Sequence, residues 1–122
     1  MTLDDIAKSL NGKILCCEEK LSSITVEKAF ASDLMSDVLA FCKPGALLIT
    51  GLTNVQIVRT VQMLDIPAVL FVRGKVPLDE TVNLARDSGI PLVLLGTAMF
   101  GTCGELYAKG VLSSFDGGNP NE

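Results

Sequence analysis

Three almost unbroken apolar runs, ALLIT at 46–50, AVLFV at 68–72 and LVLL at 92–95, recur at a nearly fixed interval through the second half of the chain. A strand with one wet face alternates apolar and polar residues. A strand covered on both faces does not, so these runs point to parallel strands sandwiched between two layers of helices. Between the runs the period becomes helical: Ile57, Val58, Val61 and Leu64 share one stripe, and Leu78, Val82 and Ala85 share the next. After the last run, Phe100, Cys103 and Tyr107 form a third stripe expected to face the core. In IPAVL and IPLVL a proline stands at the strand entrance, where a missing N–H does least harm. Strands and helices alternating over short connections call for right-handed crossovers. The expected fold class is therefore α/β, a three-layer sandwich with a mostly parallel sheet flanked by helices.

The first half is less regular. In TLDDIAKSL, Leu3, Ile6, Ala7 and Leu10 follow helical spacing, and Thr2 with Asp5 reads as a variant capping box. Asn11 and Gly12 end that helix. KILCC and VEKAFA are candidate strands, separated by a polar loop at 18–23. In SDLMSDVLAFCKPG the spacing predicts a helix with Met35, Val38, Leu39 and Cys42 on one face, Ser32 or Asp33 capping its start, and Pro44 and Gly45 stopping it. A chain of 122 residues is expected to form one domain, over 1–115. The remaining DGGNPNE lacks an apolar anchor and is expected to be disordered.

The composition narrows the function classes. Ten basic residues are scattered through a chain of net charge −4, which speaks against a nucleic-acid partner. No apolar stretch reaches the length of a membrane span, and the acidic N-terminal segment is unlike a signal peptide, so a cytoplasmic protein is expected. The mean hydropathy of +0.44 implies apolar surface covered by a partner, most simply a second copy of the chain in a homodimer. Cys16, Cys17, Cys42 and Cys103 show no CxxC spacing, and the chain has no histidine to complete a zinc site. Reduced and mostly buried thiols are expected, with adjacent Cys16 and Cys17 on opposite faces of a strand. Without histidine or a Gly-x-Ser-x-Gly elbow the chain carries no recognisable catalytic group, and it names no cofactor.

In a sheet of this kind ligands gather beyond the carboxyl ends of the strands. Three turns should meet there: TGLTN at 50–54, RGKVP at 73–77 and GTAMF at 96–100, joined by ASDLMSD if VEKAFA lies in the same sheet. Thr50, Gly51, Leu52, Thr53 and Asn54 lead into a helix N-terminus, whose free N–H groups favour an anion; Thr53 or Asn54 also serves as an ordinary cap. Arg73 and Lys75 bracket Gly74 as a cationic pair suited to phosphate or carboxylate, or as a solvated turn in which Gly74 takes a positive φ. Asp33 and Asp37 are spaced to share a helix face. That invites a metal or an acid–base pair, although capping and the helix dipole account for both.

The strings FASDLMSDVLAF, LLITGLTNVQIVRTVQMLDIPAVLFVRGKVP and ARDSGIPLV, over about residues 2 to 112, resemble the DRTGG domain. That domain occurs alone or fused to phosphotransacetylases and CBS-containing pyrophosphatases, and is related in fold to the N-terminal domain of HPr kinase/phosphorylase. The resemblance implies a self-associating regulatory or interaction module without catalytic activity, serving a partner enzyme or sensing a small anionic metabolite or nucleotide. The chain departs from the pattern where relatives carry Gly-Asp-Arg, having Gly51, Leu52 and Thr53, and where they carry Thr-Gly-Gly, having Val72, Arg73 and Gly74. A ligand that needs the Asp-Arg pair is not expected here, and Asp33, Thr50–Asn54 and Arg73–Lys75 form the candidate site.

Overall fold

The computed structural model describes residues 1–115; the expectation for the tail at 116–122 lies outside them. Helix α1 (Leu3–Ser9) leads to strand β1 (Lys13–Cys16), a 3-10 turn (Glu18–Ser23) and β2 (Lys28–Ala31). There follow α2 (Met35–Phe41), β3 (Leu47–Thr50), α3 (Val55–Met63), β4 (Val69–Phe71), α4 (Asp79–Ser88), β5 (Leu92–Leu94), α5 (Met99–Ala108) and β6 (Leu112–Ser113). The sheet order is β1-β5-β4-β3-β2-β6, parallel throughout except for β1, which runs antiparallel to β5 at one edge. This is the α/β sandwich with a mostly parallel sheet that the apolar runs predict.

Handedness decides which helix lies on which face. From β2 to β5 the chain steps one strand at a time in a single direction, so right-handed crossovers place α2, α3 and α4 on one side. The return from β5 to β6 runs the other way, which places α5 on the opposite side beside α1. Two cores result. Val38, Ile57, Val58, Val61 and Ala85 close on Leu48, Phe71 and Leu92 on the first face. On the second, Leu3, Ile6, Leu21 and Leu106 close on Ile49, Leu70 and Val93. Successive residues of β3 and β4 point to opposite cores, which is why neither strand can accept a polar alternation. Phe71, fully buried, contributes on the order of 1.5–3 kcal/mol by that burial.

Several expectations are corrected. The polar loop at 18–23 is a 3-10 turn holding Leu21 at 1% exposure, so one residue anchors an otherwise wet segment. The two adjacent thiols do not diverge. β1 ends at Cys16, Cys17 takes a left-handed conformation at φ 58°, and both sulfurs turn toward α4 and the loop after it, Cys16 Sγ donating to Ile90 O at 3.3 Å. Leu39 and Leu78 are exposed rather than in their stripes, because α2 and α4 bury narrower faces centred on Val38 and on Thr81 and Ala85. In α5 the third stripe holds only at Cys103, which is half-buried against the second core; Thr102 and Leu106 are buried, while Phe100 is 91% and Tyr107 71% exposed. β6, two residues long, gives no periodicity to read.

Candidate functional site

The carboxyl ends of β2, β3, β4 and β5 lie side by side, and the loops that leave them form the site. One further ladder bond, Ser32 N–H to Ile49 O at 3.1 Å, carries the β2–β3 pairing past the strand ends and sets Asp33 beside Gly51. Asp33 Oδ1 accepts the Gly51 N–H at 2.5 Å, and its Oδ2 lies 3.7 Å from Arg73 Nη2. Both charged side chains are about half exposed, at 53% for Arg73 and 47% for Asp33, so the pair contributes at most about 1 kcal/mol. Gly51 is needed for this approach. A Cβ there would stand 2.6 Å from Arg73 Nη2 and 3.0 Å from Asp33 Oδ1.

Asp33 is thus neither the cap of α2 nor a face-mate of Asp37. The helix begins after Leu34, which has no side-chain cap, and Ser32 Oγ instead takes the Leu34 N–H at 3.0 Å. Asp37 lies in the first turn of α2, so the proposed acid pair is split between a loop and a helix. Sequence spacing cannot reveal this, because the partner that claims Asp33 is 18 positions away.

Arg73 and Gly74 both stand at φ 62°, and Lys75 N–H closes the turn on Val72 O at 3.3 Å. Two successive positive φ values make it a type I′ turn, in which Gly74 is at ease and Arg73 is strained by roughly 1 kcal/mol. The strain is held by the loop after β5: Arg73 N–H donates to Thr97 O and Gly74 N–H to Leu95 O, each at 2.7 Å. Thr97 and its hydroxyl partner Thr102, 2.7 Å apart, therefore support the turn that carries the guanidinium. Thr97 lies in the GTAMF turn expected at the site, and a backbone acceptor of this kind leaves no signal in the sequence.

Thr50 is fully buried and its Oγ1 accepts the Leu52 N–H at 3.1 Å, an inward turn that leaves Leu52 half-buried against the α2–α4 core. The Thr53 carbonyl accepts from Thr81 Oγ1 at 2.8 Å and from Leu78 N–H at 3.4 Å, which ties the start of α3 to that of α4. Asn54 occupies the N-cap position of α3 without a side-chain cap bond. Asn54 and Lys75 are exposed, and neither side chain has a hydrogen bond or ion pair among the described residues. The structure therefore brings Asp33, Gly51 and Arg73 together, with Thr50, Leu52 and Gly74 shaping the turns beneath them. Among the described residues no group of three or more acidic, cysteine or histidine side chains could hold a metal. The arrangement offers charge and backbone donors.

The fold has a counterpart among solved structures. The fold matches the crystal structure of the CBS and DRTGG domains of the regulatory region of Clostridium perfringens pyrophosphatase, complexed with the activator diadenosine tetraphosphate, with a TM-score of 0.68. The fold is DRTGG-like. Identity is 19% over 93% of this chain and 47% of the other, so the likeness is one of fold, and this chain spans about half the length of that regulatory region. No family model matches the sequence, and no curated protein is detectably similar to it.

Proposed function

We propose that this DRTGG-like chain is a non-catalytic, cytoplasmic regulatory domain that self-associates and senses a small anionic metabolite or nucleotide at the carboxyl ends of its strands. The observation that carries the reading is Arg73. Its guanidinium is held over Gly51 by a strained turn and an ion pair of 3.7 Å, a separation that leaves it able to turn toward a phosphate. Lys75 stands two residues on, and the first amides of α3 follow the adjacent strand, so charge and N–H donors converge. The activator bound by the pyrophosphatase regulatory region is itself a polyanionic nucleotide, which supports the same chemical class.

The test is a thermal-shift and calorimetric screen of the whole chain with adenine nucleotides, diadenosine tetraphosphate and acyl phosphates. A ligand at a hundred times its Kd stabilises the fold by about 2.7 kcal/mol, well within detection. Arg73→Ala combined with Thr53→Ala should remove the shift. If every hit survives that double substitution, the site is elsewhere.

A second reading is favoured by one feature of the same site: Asp33 already places a carboxylate between Gly51 and Arg73, and the neighbouring Leu52 is half-buried against the α2–α4 core. A site so occupied suits a module that docks on a partner enzyme and takes no ligand. A screen without hits, together with co-purification of a partner enzyme lost on substituting Leu52, favours it.

A further inference from the structure

The amino ends of β2 and β3, at the far end of the sheet from Arg73 and Asp33, border a second polar recess. Lys28 opens β2, residues 43–46 lead into β3, and Ser114 follows β6; together they line a cavity of about 350 Å³, large enough for a small ligand. Local structure fixes its walls. Pro44 and Gly45, the latter at φ 83°, are the centre of a turn that Ala46 N–H closes on Lys43 O at 3.2 Å, the type II pattern with proline and glycine in their preferred places. Gly45 N–H donates to Asp65 O at 3.0 Å, which ties the turn to the loop after α3. On the other wall, Leu112 N–H to Glu27 O and Ser114 N–H to Ala29 O, each at 3.0 Å, clamp β6 along β2.

Within this frame three side chains lack partners. Lys28 and Lys43 are exposed, and among the described residues neither forms an ion pair. Ser114 is 5% exposed, and its Oγ is buried with no hydrogen-bond partner among the described residues. Buried hydroxyls are normally satisfied, and one that is not calls for an explanation. We propose that the cavity is a second anion site, which takes a single phosphoryl group. Lys28 and Lys43 supply charge on mobile ammonium donors, and Ser114 turns its hydroxyl about χ1 to donate from beneath. A phosphoryl group offers three terminal oxygens to these three donors, where a carboxylate has two. Glu27 lines the same cavity, so two lysines against one glutamate leave one net positive charge, which suits one phosphoryl group and not a polyphosphate chain. This site stands or falls separately from the strand-end site.

Amide NMR of the full chain, titrated at constant ionic strength with sodium phosphate and in parallel with glycerol phosphate, tests it. The expected result is binding in the millimolar range or tighter that shifts the amides of Lys28, Gly45 and Ser114 and survives Arg73→Ala. Lys28→Gln combined with Lys43→Gln should weaken it at least about tenfold with unchanged circular dichroism. Ser114→Ala gives a sign test. It removes a buried hydroxyl that has no partner, so urea unfolding without phosphate should show no loss of stability, while affinity falls about three- to tenfold. Tighter binding of glycerol phosphate assigns the site to a phosphorylated metabolite, and tighter binding of the inorganic ion assigns it to phosphate itself. No binding at about 20 mM phosphate, shifts confined to Gly51 and Leu52, shifts reproduced by sodium chloride, or an affinity unchanged by the lysine pair or by Ser114→Ala would each overturn the proposal.

Discussion

Asp33 takes the backbone N–H of Gly51 across 18 residues of sequence, and in doing so places a carboxylate where the β3 turn faces Arg73. Removing the acceptor separates its two effects. Asp33→Ala leaves a part-buried N–H without a partner and should cost about 1 kcal/mol in urea unfolding. Asp33→Asn keeps an acceptor and recovers most of that loss, while freeing Arg73. Any anion that binds there should then bind up to about fivefold more tightly by calorimetry, and tighter binding to Asp33→Ala alone would contradict this account.

Gly51→Ala should be destabilising although its φ is unexceptional. The added Cβ meets Arg73 Nη2 at 2.6 Å, so the guanidinium must swing away and the Asp33 pair must open. A loss on the order of 1 kcal/mol is expected, because the displaced atom is the end of a flexible side chain. The paired Gly51→Ala, Arg73→Ala protein should regain part of it in a double-mutant cycle.

Phe71→Ala should be far more damaging. The ring is fully buried between β4 and the α2–α4 layer, and truncation removes its contacts and leaves a cavity, at about 3–5 kcal/mol in chemical denaturation.

Alkaline pH should weaken the fold. Burial pushes the Cys16 and Cys42 thiols up to about 11 from an ordinary value of 9.0. A thiol pKa raised by folding means the native state holds its proton where the unfolded state has lost it, so stability is complete below pH 9 and falls as pH rises toward 11. Thermal melts across that range should show the decline. Below pH 9, iodoacetamide should label native Cys16 and Cys42 far more slowly than the unfolded chain.

What could be read from the sequence follows the range of the interactions concerned. The capping box of Thr2 and Asp5 is present with both its bonds, because it involves residues three apart. The three apolar runs gave the buried strands for the same reason. Local rules assign an acid before a helix to its cap, and only the sheet brings Gly51 within reach of Asp33. Phe100 and Tyr107 face outward against the expectation because α5 carries a single charged residue, Glu105, too little contrast to fix which face turns inward. Gly74 after a buried strand marks a turn in the sequence. That Arg73 shares the left-handed conformation could not be seen, since it depends on acceptors supplied by the loop after β5.

The return of α5 across the sheet has a consequence for synthesis. β2 pairs with β3 early, but its other neighbour is β6, at Leu112–Ser113, so one flank stays open while the intervening chain is made. At about 5–20 residues per second that wait lasts on the order of ten seconds. During it the nascent chain presents an unpaired strand, Lys28–Ala31, whose first residue is a lysine, a charge of the kind that discourages edge-to-edge association.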